Sequence, residues 1–154
     1  MKNMVSGNNK FKKNIVQGVK TVKSLPYHKP DAFFYPLLMS SRQVPDANFW
    51  VYYFYLHVSE DLAKNPTVSW AERHRHPDGS NEMYLVIGDP GAITVEVTLG
   101  NADEMETYEV SSPASVYIPA GITHSIKPVR MTPNKTGGIL AIVSNGEYIC
   151  LPPL

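Results

Sequence analysis

Three histidines and one glutamate have the residue types and the spacing to do chemistry together. His74 and His76 stand two positions apart in AERHRH, and the turn PDGSN separates them from Glu82. Side chains on a strand alternate with period two, so a His-x-His pair points both imidazoles to one face and Arg75 to the other. Glu82 opens the apolar run EMYLVIG, in which Glu82, Tyr84 and Val86 share one face and Met83, Leu85 and Ile87 the other. If Tyr84 and Val86 face inward, so does the carboxylate. A buried carboxylate without a partner is destabilising, and a cation or metal is its usual compensation. Downstream, YIPAGITH bends at Pro119-Ala120-Gly121 and delivers His124 to the start of another strand. Three imidazoles and a carboxylate suit one divalent transition metal. Asp78 is the alternative carboxylate if the PDGSN turn folds inward. Tyr84 is a candidate catalytic hydroxyl beside Glu82, or else a core tyrosine with its hydroxyl satisfied.

The elements that must position these residues read as short strands. FWVYYFYLHV (49–58), TVSWAERHRH (67–76), EMYLVIG (82–88), AITVEVTLG (92–100) and METYEVS (105–111) are apolar, β-branched or alternating. ASVYIP (114–119), THSIKPV (123–129), GILAIVS (138–144) and EYICL (147–151) continue the series. The links PDGSN, GDPG, GNADE, SSP, PAG and SNGE are turn chemistry. Many short strands joined by turns predict an all-β sandwich or barrel. In strand 49–58, Trp50, Tyr52 and Phe54 share one face, and Tyr53, Tyr55 and His57 the other; the pattern leaves open which lines the cavity. A strand apolar on both faces needs cover on both, which predicts a homodimer. His57 reads as a packing or interface residue. Arg42, Arg73, Lys127 and Arg130 are possible carboxylate binders, but Arg73 and Lys127 alternate away from the histidine face. The acidic run DEME (103–106) reads as a solvated hairpin tip.

Ahead of the strands, Phe11, Ile15, Val19 and Val22 predict one short helix over residues 10–23, and the prolines at 26, 30, 36 and 45 predict an extended lead-in. His28 in PYHKP reads as a surface residue. Charge is uneven along the 154 residues: seven of the fourteen basic residues lie within 1–30, where there is no acid, leaving seven basic against all fourteen acidic residues in the rest. The arm lacks clustered arginines and interleaved aromatics, which argues against nucleic acid and for a solvated arm on its own or a partner's acidic body. The single cysteine, Cys150, allows no intramolecular disulfide and reads as a buried thiol. No run of about 20 apolar residues would span a membrane. A cytoplasmic location is the expectation in the absence of a signal peptide. No phosphate loop, nucleophile elbow or Cys-x-x-Cys motif is present, which leaves the chemistry to a metal.

The two histidine-bearing stretches resemble the signature motifs of the cupin superfamily, usually written G-x5-H-x-H-x3–4-E-x6-G and G-x5-P-x-G-x2-H-x3-N. The sequence supplies His74-x-His76, then Glu82 and Gly88, then Pro119-x-Gly121-x2-His124. The resemblance covers roughly residues 45–150 and implies that His74, His76, Glu82 and His124 are the metal ligands. Departures lie in the loops. Five residues separate His76 from Glu82, and five separate Glu82 from Gly88; Val68 and Pro113 stand where glycine is usual, and Pro128 replaces the final asparagine. The region GAITVEVTLGNADEMETYEVSSPASVYIPAG is similar to that of small single-domain cupins, a similarity that carries no activity with it.

The resemblance implies a cupin-type double-stranded β-helix, a jelly-roll barrel, over 45–154, behind a basic arm and extended lead-in over 1–44. It implies a metal-dependent protein for a small oxygenated molecule. Fe(II) dioxygenase chemistry is the first expectation, because histidine-rich ligation with one carboxylate is close to that of oxygen-activating iron sites. Lewis-acid lyase, isomerase or decarboxylase chemistry with Mn, Ni, Co, Cu or Zn is the second. A non-catalytic binding module is the third.

Overall fold

The computed structural model describes residues 9–17, 20–22, 26–28, 35–54 and 71–154. Among them are ten strands: β1 Lys20–Val22, β2 Tyr35–Met39, β3 Phe49–Phe54, β4 Ala71–His74, β5 Glu82–Gly88, β6 Ile93–Leu99, β7 Glu106–Ser111, β8 Ala114–Ile118, β9 His124–Met131 and β10 Gly137–Ser144. They form a six-stranded sheet in the order β1-β2-β3-β10-β5-β8 and a four-stranded sheet in the order β4-β9-β6-β7. Every pairing is antiparallel. This is the expected all-β, double-stranded β-helix architecture.

The core lies between the sheets. Trp50, Tyr52, Tyr84, Val86, Ile139, Ala141 and Val143 come from the larger sheet, and Ala71, Ile93, Val95, Val97 and Ile126 from the smaller. In β5 the alternation sends Glu82, Tyr84 and Val86 inward and leaves Met83 and Leu85 half-buried on the outer side. In β3, Trp50 and Tyr52 face the core while Phe49 is exposed, which resolves the orientation the sequence left open. Tyr55 and His57 lie outside the described residues.

Gly88 ends β5 for a steric reason. Its φ is +129°, and a Cβ there would lie 2.3 Å from the Thr136 carbonyl oxygen. Only glycine permits that conformation and that approach.

Three expectations are corrected. Residues 10–23 do not form one helix: Asn9–Asn14 is a 3-10 turn, and Lys20–Val22 pairs with β2. The β-branched Thr21 and Val22 suit the strand better than a helix. The segment 147–151 is not a strand; it makes a single bridge, Arg75 to Leu151. Pro152 and Pro153 follow, and neither has an N–H to continue a ladder. His28 is not a surface residue but is 6% exposed. The extended lead-in brings it inward, where it bridges Ala71 while the Tyr27 carbonyl accepts from Glu72 N–H at 2.7 Å. The DEME tip is solvated as expected, with Asp103 and Glu104 exposed in a short 3-10 turn. No helix among the described residues is long and apolar enough to cross a membrane.

Candidate metal centre

Three strands and one loop bring the four residues together. His74 closes β4 and is paired in register with His124, the first residue of β9. His76 follows one residue beyond the Arg75–Leu151 bridge. Glu82 opens β5 between Ile118 of β8 and Val143 of β10. The two motif stretches are tied to each other, because Gly121 N–H donates to the His76 carbonyl at 3.0 Å and Ala120 N–H to Asn81 Oδ1 at 2.9 Å. Gly121 has φ +80°, which the Pro-Ala-Gly bend requires.

One ligand atom from each of His74, His76, Glu82 and His124 lies within 4.8 Å of the others, and all four residues are buried. The PDGSN turn closes on a Ser80 N–H to Pro77 carbonyl bond and bulges outward, leaving Asp78 exposed and outside the group. Arg73 is exposed, Arg75 donates to the Pro152 carbonyl, Lys127 pairs with Glu96 and Arg42 lies over the Trp50 ring. None of these cations belongs to the cluster.

The imidazoles are oriented for ligation. His74 Nδ1 lies 2.7 Å from the Glu72 carbonyl, His76 Nδ1 2.6 Å from that of Ile149, and His124 Nδ1 3.0 Å from that of Ile122. A carbonyl only accepts, so each Nδ1 carries the hydrogen and each ring turns its Nε2 inward. Carbonyl partners of this kind fix tautomer and ring direction at metal sites. His124 Nε2 is 2.7 Å from Glu82 Oε2 yet makes no aligned hydrogen bond. The two donor atoms thus converge on a common point without satisfying each other. The set fits a divalent metal ion.

Electrostatics agree with this. Burial would raise Glu82, but the His124 and His76 rings beside it outweigh that and hold the carboxyl well below its ordinary range. Burial, then His124, pushes His74 down to about 3. Burial opposes charge on His76, but its bond to Glu82 at 3.2 Å outweighs that and raises it above the ordinary value.

Polar residues that sequence reasoning missed line one side. Tyr52 donates to Glu82 Oε1 at 3.1 Å. The Tyr148 hydroxyl lies 3.2 Å from His74 Nε2 and 3.3 Å from His28 Nε2. Tyr27 stacks on the His74 ring, with centroids 5.8 Å apart and planes at 11°. The face shared by Trp50 and Tyr52 was a signal for Tyr52; His28 and Tyr148 reach the site through non-local bridges that have no local pattern. Tyr84 is fully buried, its ring edge against His124, and its hydroxyl has no hydrogen-bond partner among the described residues. Burial, then Glu82, holds the Tyr84 phenol well above its ordinary value. Cys150 is half-buried, and burial pushes its thiol up to about 12.

No protein-family model matches the chain, and no curated protein matches it. Solved structures do. An oxalate decarboxylase of Bacillus subtilis, OxdC, superposes with a TM-score of 0.57 at 18% identity, over 87% of this chain and 31% of that one. A structure of the same enzyme described by its Mn(II) centres matches at 0.51 and 15% identity, over 87% and 31%. Fe(II)-HppE with the alternative substrate (S)-1-HPP matches at 0.51 and 13% identity, over 84% of this chain and 59% of that one. The chain therefore spans about a third of the first protein's length and three fifths of the second's. At these identities the likeness establishes the fold.

Proposed function

Taking the cupin fold of this chain as given, we propose that it is a metal-dependent enzyme that acts on a small oxygenated organic molecule held at His74, His76, Glu82 and His124. One observation carries the reading: three rings have Nδ1 anchored on backbone carbonyls, so three Nε2 atoms converge with a buried carboxylate. A divalent metal held there supplies Lewis acidity, and with iron the capacity to activate O₂.

The chain's own residues favour Fe(II) dioxygenase chemistry. Beside the four ligands stand the phenols of Tyr52, Tyr84 and Tyr148 and the imidazole of His28. Burial holds all three phenols well above their ordinary range, so they stay protonated and orient rather than abstract protons. Burial likewise lowers His28. Acid–base catalysis works best with a group that titrates near the working pH, and the three phenols do not. Tyr84, with its hydroxyl unpartnered among the described residues and its ring against His124, is the residue proposed to touch the bound molecule. Tyr52 holds Glu82 in place. The second reading, a lyase or decarboxylase, draws on the oxalate decarboxylase that shares the fold.

The test is anaerobic reconstitution with Fe(II), Mn(II), Ni(II), Co(II), Cu(II) and Zn(II), followed by a panel of small oxygenated molecules with O₂ uptake as the readout. Uptake with product supports the dioxygenase. Product without uptake supports the second reading. Binding of a panel member without product under any metal would sink the enzyme assignment and leave a binding module.

A further inference from the structure

His28 lies outside the four-residue cluster, yet it dictates what one side of that cluster presents. The lead-in segment Pro26–His28 lies along β4, with Tyr27 stacked on His74 and the His28 and His74 ring centroids 5.4 Å apart. His28 Nδ1 is 2.8 Å from the Pro26 carbonyl, so Nδ1 carries the hydrogen and Nε2 accepts. The Tyr148 hydroxyl stands between two such acceptors, His28 Nε2 and His74 Nε2, and has one proton to give. A metal at the centre takes the lone pair of His74 Nε2. His28 Nε2 then remains as the stronger acceptor for the Tyr148 proton, ahead of the Cys150 sulfur, which is also within reach but accepts weakly. Tyr52, the other phenol within reach, is 3.4 Å from the Tyr148 hydroxyl and 3.1 Å from Glu82 Oε1. Its proton goes to the carboxylate, where a charge-assisted bond is stronger. The Tyr148 oxygen keeps its lone pairs, and it lies 3.2 Å from one of the four converging ligand atoms.

We propose that His28 fixes the direction of the Tyr148 hydroxyl, so that Tyr148 offers an acceptor to the bound molecule and the site selects a ligand carrying a hydroxyl group on that side. This rests on the metal-centre reading above. A carbonyl or carboxylate oxygen in the same place would set two acceptors against each other, whereas a hydroxyl donates. His28 acts through Tyr148 and is a positioning residue.

The experiment uses the full chain loaded with Co(II), whose visible bands report both metal and ligand. Lactate and pyruvate serve as a matched hydroxy and keto pair. Lactate is expected to bind roughly tenfold more tightly, the scale of one hydrogen bond made against one lost. His28→Phe and Tyr148→Phe should each erase that preference while leaving the Co(II) bands in place. A native protein that binds pyruvate as well as lactate overturns the proposal, and so does a preference that survives His28→Phe. A variant-free readout is ¹⁵N NMR of the Zn(II)-loaded protein. The expected His28 tautomer carries hydrogen on Nδ1, and hydrogen on Nε2 overturns the proposal. Failure of Co(II) to bind at all would instead bring down the metal-centre reading, and this inference with it.

Discussion

His74 and His124 face each other across the β4–β9 pairing, with ring centroids 4.3 Å apart and planes tilted by 60°. Two buried rings that close, both anchored through Nδ1, turn their Nε2 atoms towards a common point. His74→Ala and His124→Ala should each lower metal affinity by more than about a hundredfold, beyond the 10–100-fold range typical of outer-shell changes. Asp78→Ala, at an exposed turn position, should leave it unchanged. Elemental analysis after dialysis decides; near-stoichiometric metal in both histidine variants would remove them from the site.

Metal binding should depend on pH with a definite sign. In the metal-free chain, the bond to Glu82 raises His76 above 6.5 against burial, so below that raised value the ring holds a proton that the metal must displace. Affinity should rise with pH through neutrality, and loading near pH 7 should release protons. Calorimetry in buffers of differing ionisation enthalpy reads this directly. Proton-independent loading would contradict the His76–Glu82 assignment.

Stability of the metal-free chain should fall in acid. His74 titrates at about 3 when folded, against an ordinary 6.5. Its contribution is present above 6.5 and is lost as pH falls from there towards 3, because the unfolded chain binds the proton first. Glu82 adds to the loss below its ordinary 4.5. Well below 6.5 the raised His76 is protonated in both states and no longer shifts the balance, so denaturant midpoints at pH 5 and pH 4 should show the decline, and a higher midpoint at pH 4 would refute it.

Two glycines separate steric clash from conformational strain. Gly88→Ala meets the Thr136 carbonyl at 2.3 Å in addition to an unfavourable φ, whereas a Cβ on Gly121 meets nothing within 4 Å. Gly88→Ala should cost more than about 3 kcal/mol and Gly121→Ala about 1 kcal/mol. Urea unfolding of the two variants should rank them in that order.

The outer face of the larger sheet carries an apolar row. Met39, Val51, Ile142, Met83 and Tyr117 are cross-strand partners over five strands, none of them fully buried, and Tyr117 is 60% exposed. We propose that a second copy of the chain covers this face, at a gain of roughly 25 cal/mol per Å² of apolar area. Light scattering should give a dimer of the 17.2 kDa chain, and Tyr117→Glu should shift it towards monomer. A native mass near that of one chain would sink the dimer. A dimer that survives deletion of residues 1–24 would sink only a role for the basic arm at the interface.

The β-strands from residue 82 onward were legible because alternation and turn residues act locally. The run EMYLVIG became β5 with the bounds the pattern gave, and its inward face followed from period two. The convergence of His74, His76, Glu82 and His124 was legible for the same reason, with the chain order of the motifs supplying the long-range part. His28 was misread because nothing within PYHKP distinguishes a solvated histidine from one drawn in by a bridge to Ala71. Tyr148 sits in a segment whose apolar pattern resembles a strand, and its place depends on the Arg75–Leu151 bridge.

β4 ends the smaller sheet, and an end strand normally offers unpaired amides to any passing chain. Here the Glu72 amide is held by Tyr27 from the lead-in, and the Arg75 amide by Leu151 from near the C-terminus. Two segments distant in sequence thus seal the border that carries His74, and the same clasp that places His28 beside it denies a foreign strand its first rungs. Loss of the lead-in would remove the Tyr27 part of that seal, so a chain trimmed past His28 should be prone to aggregate as well as altered at its metal centre.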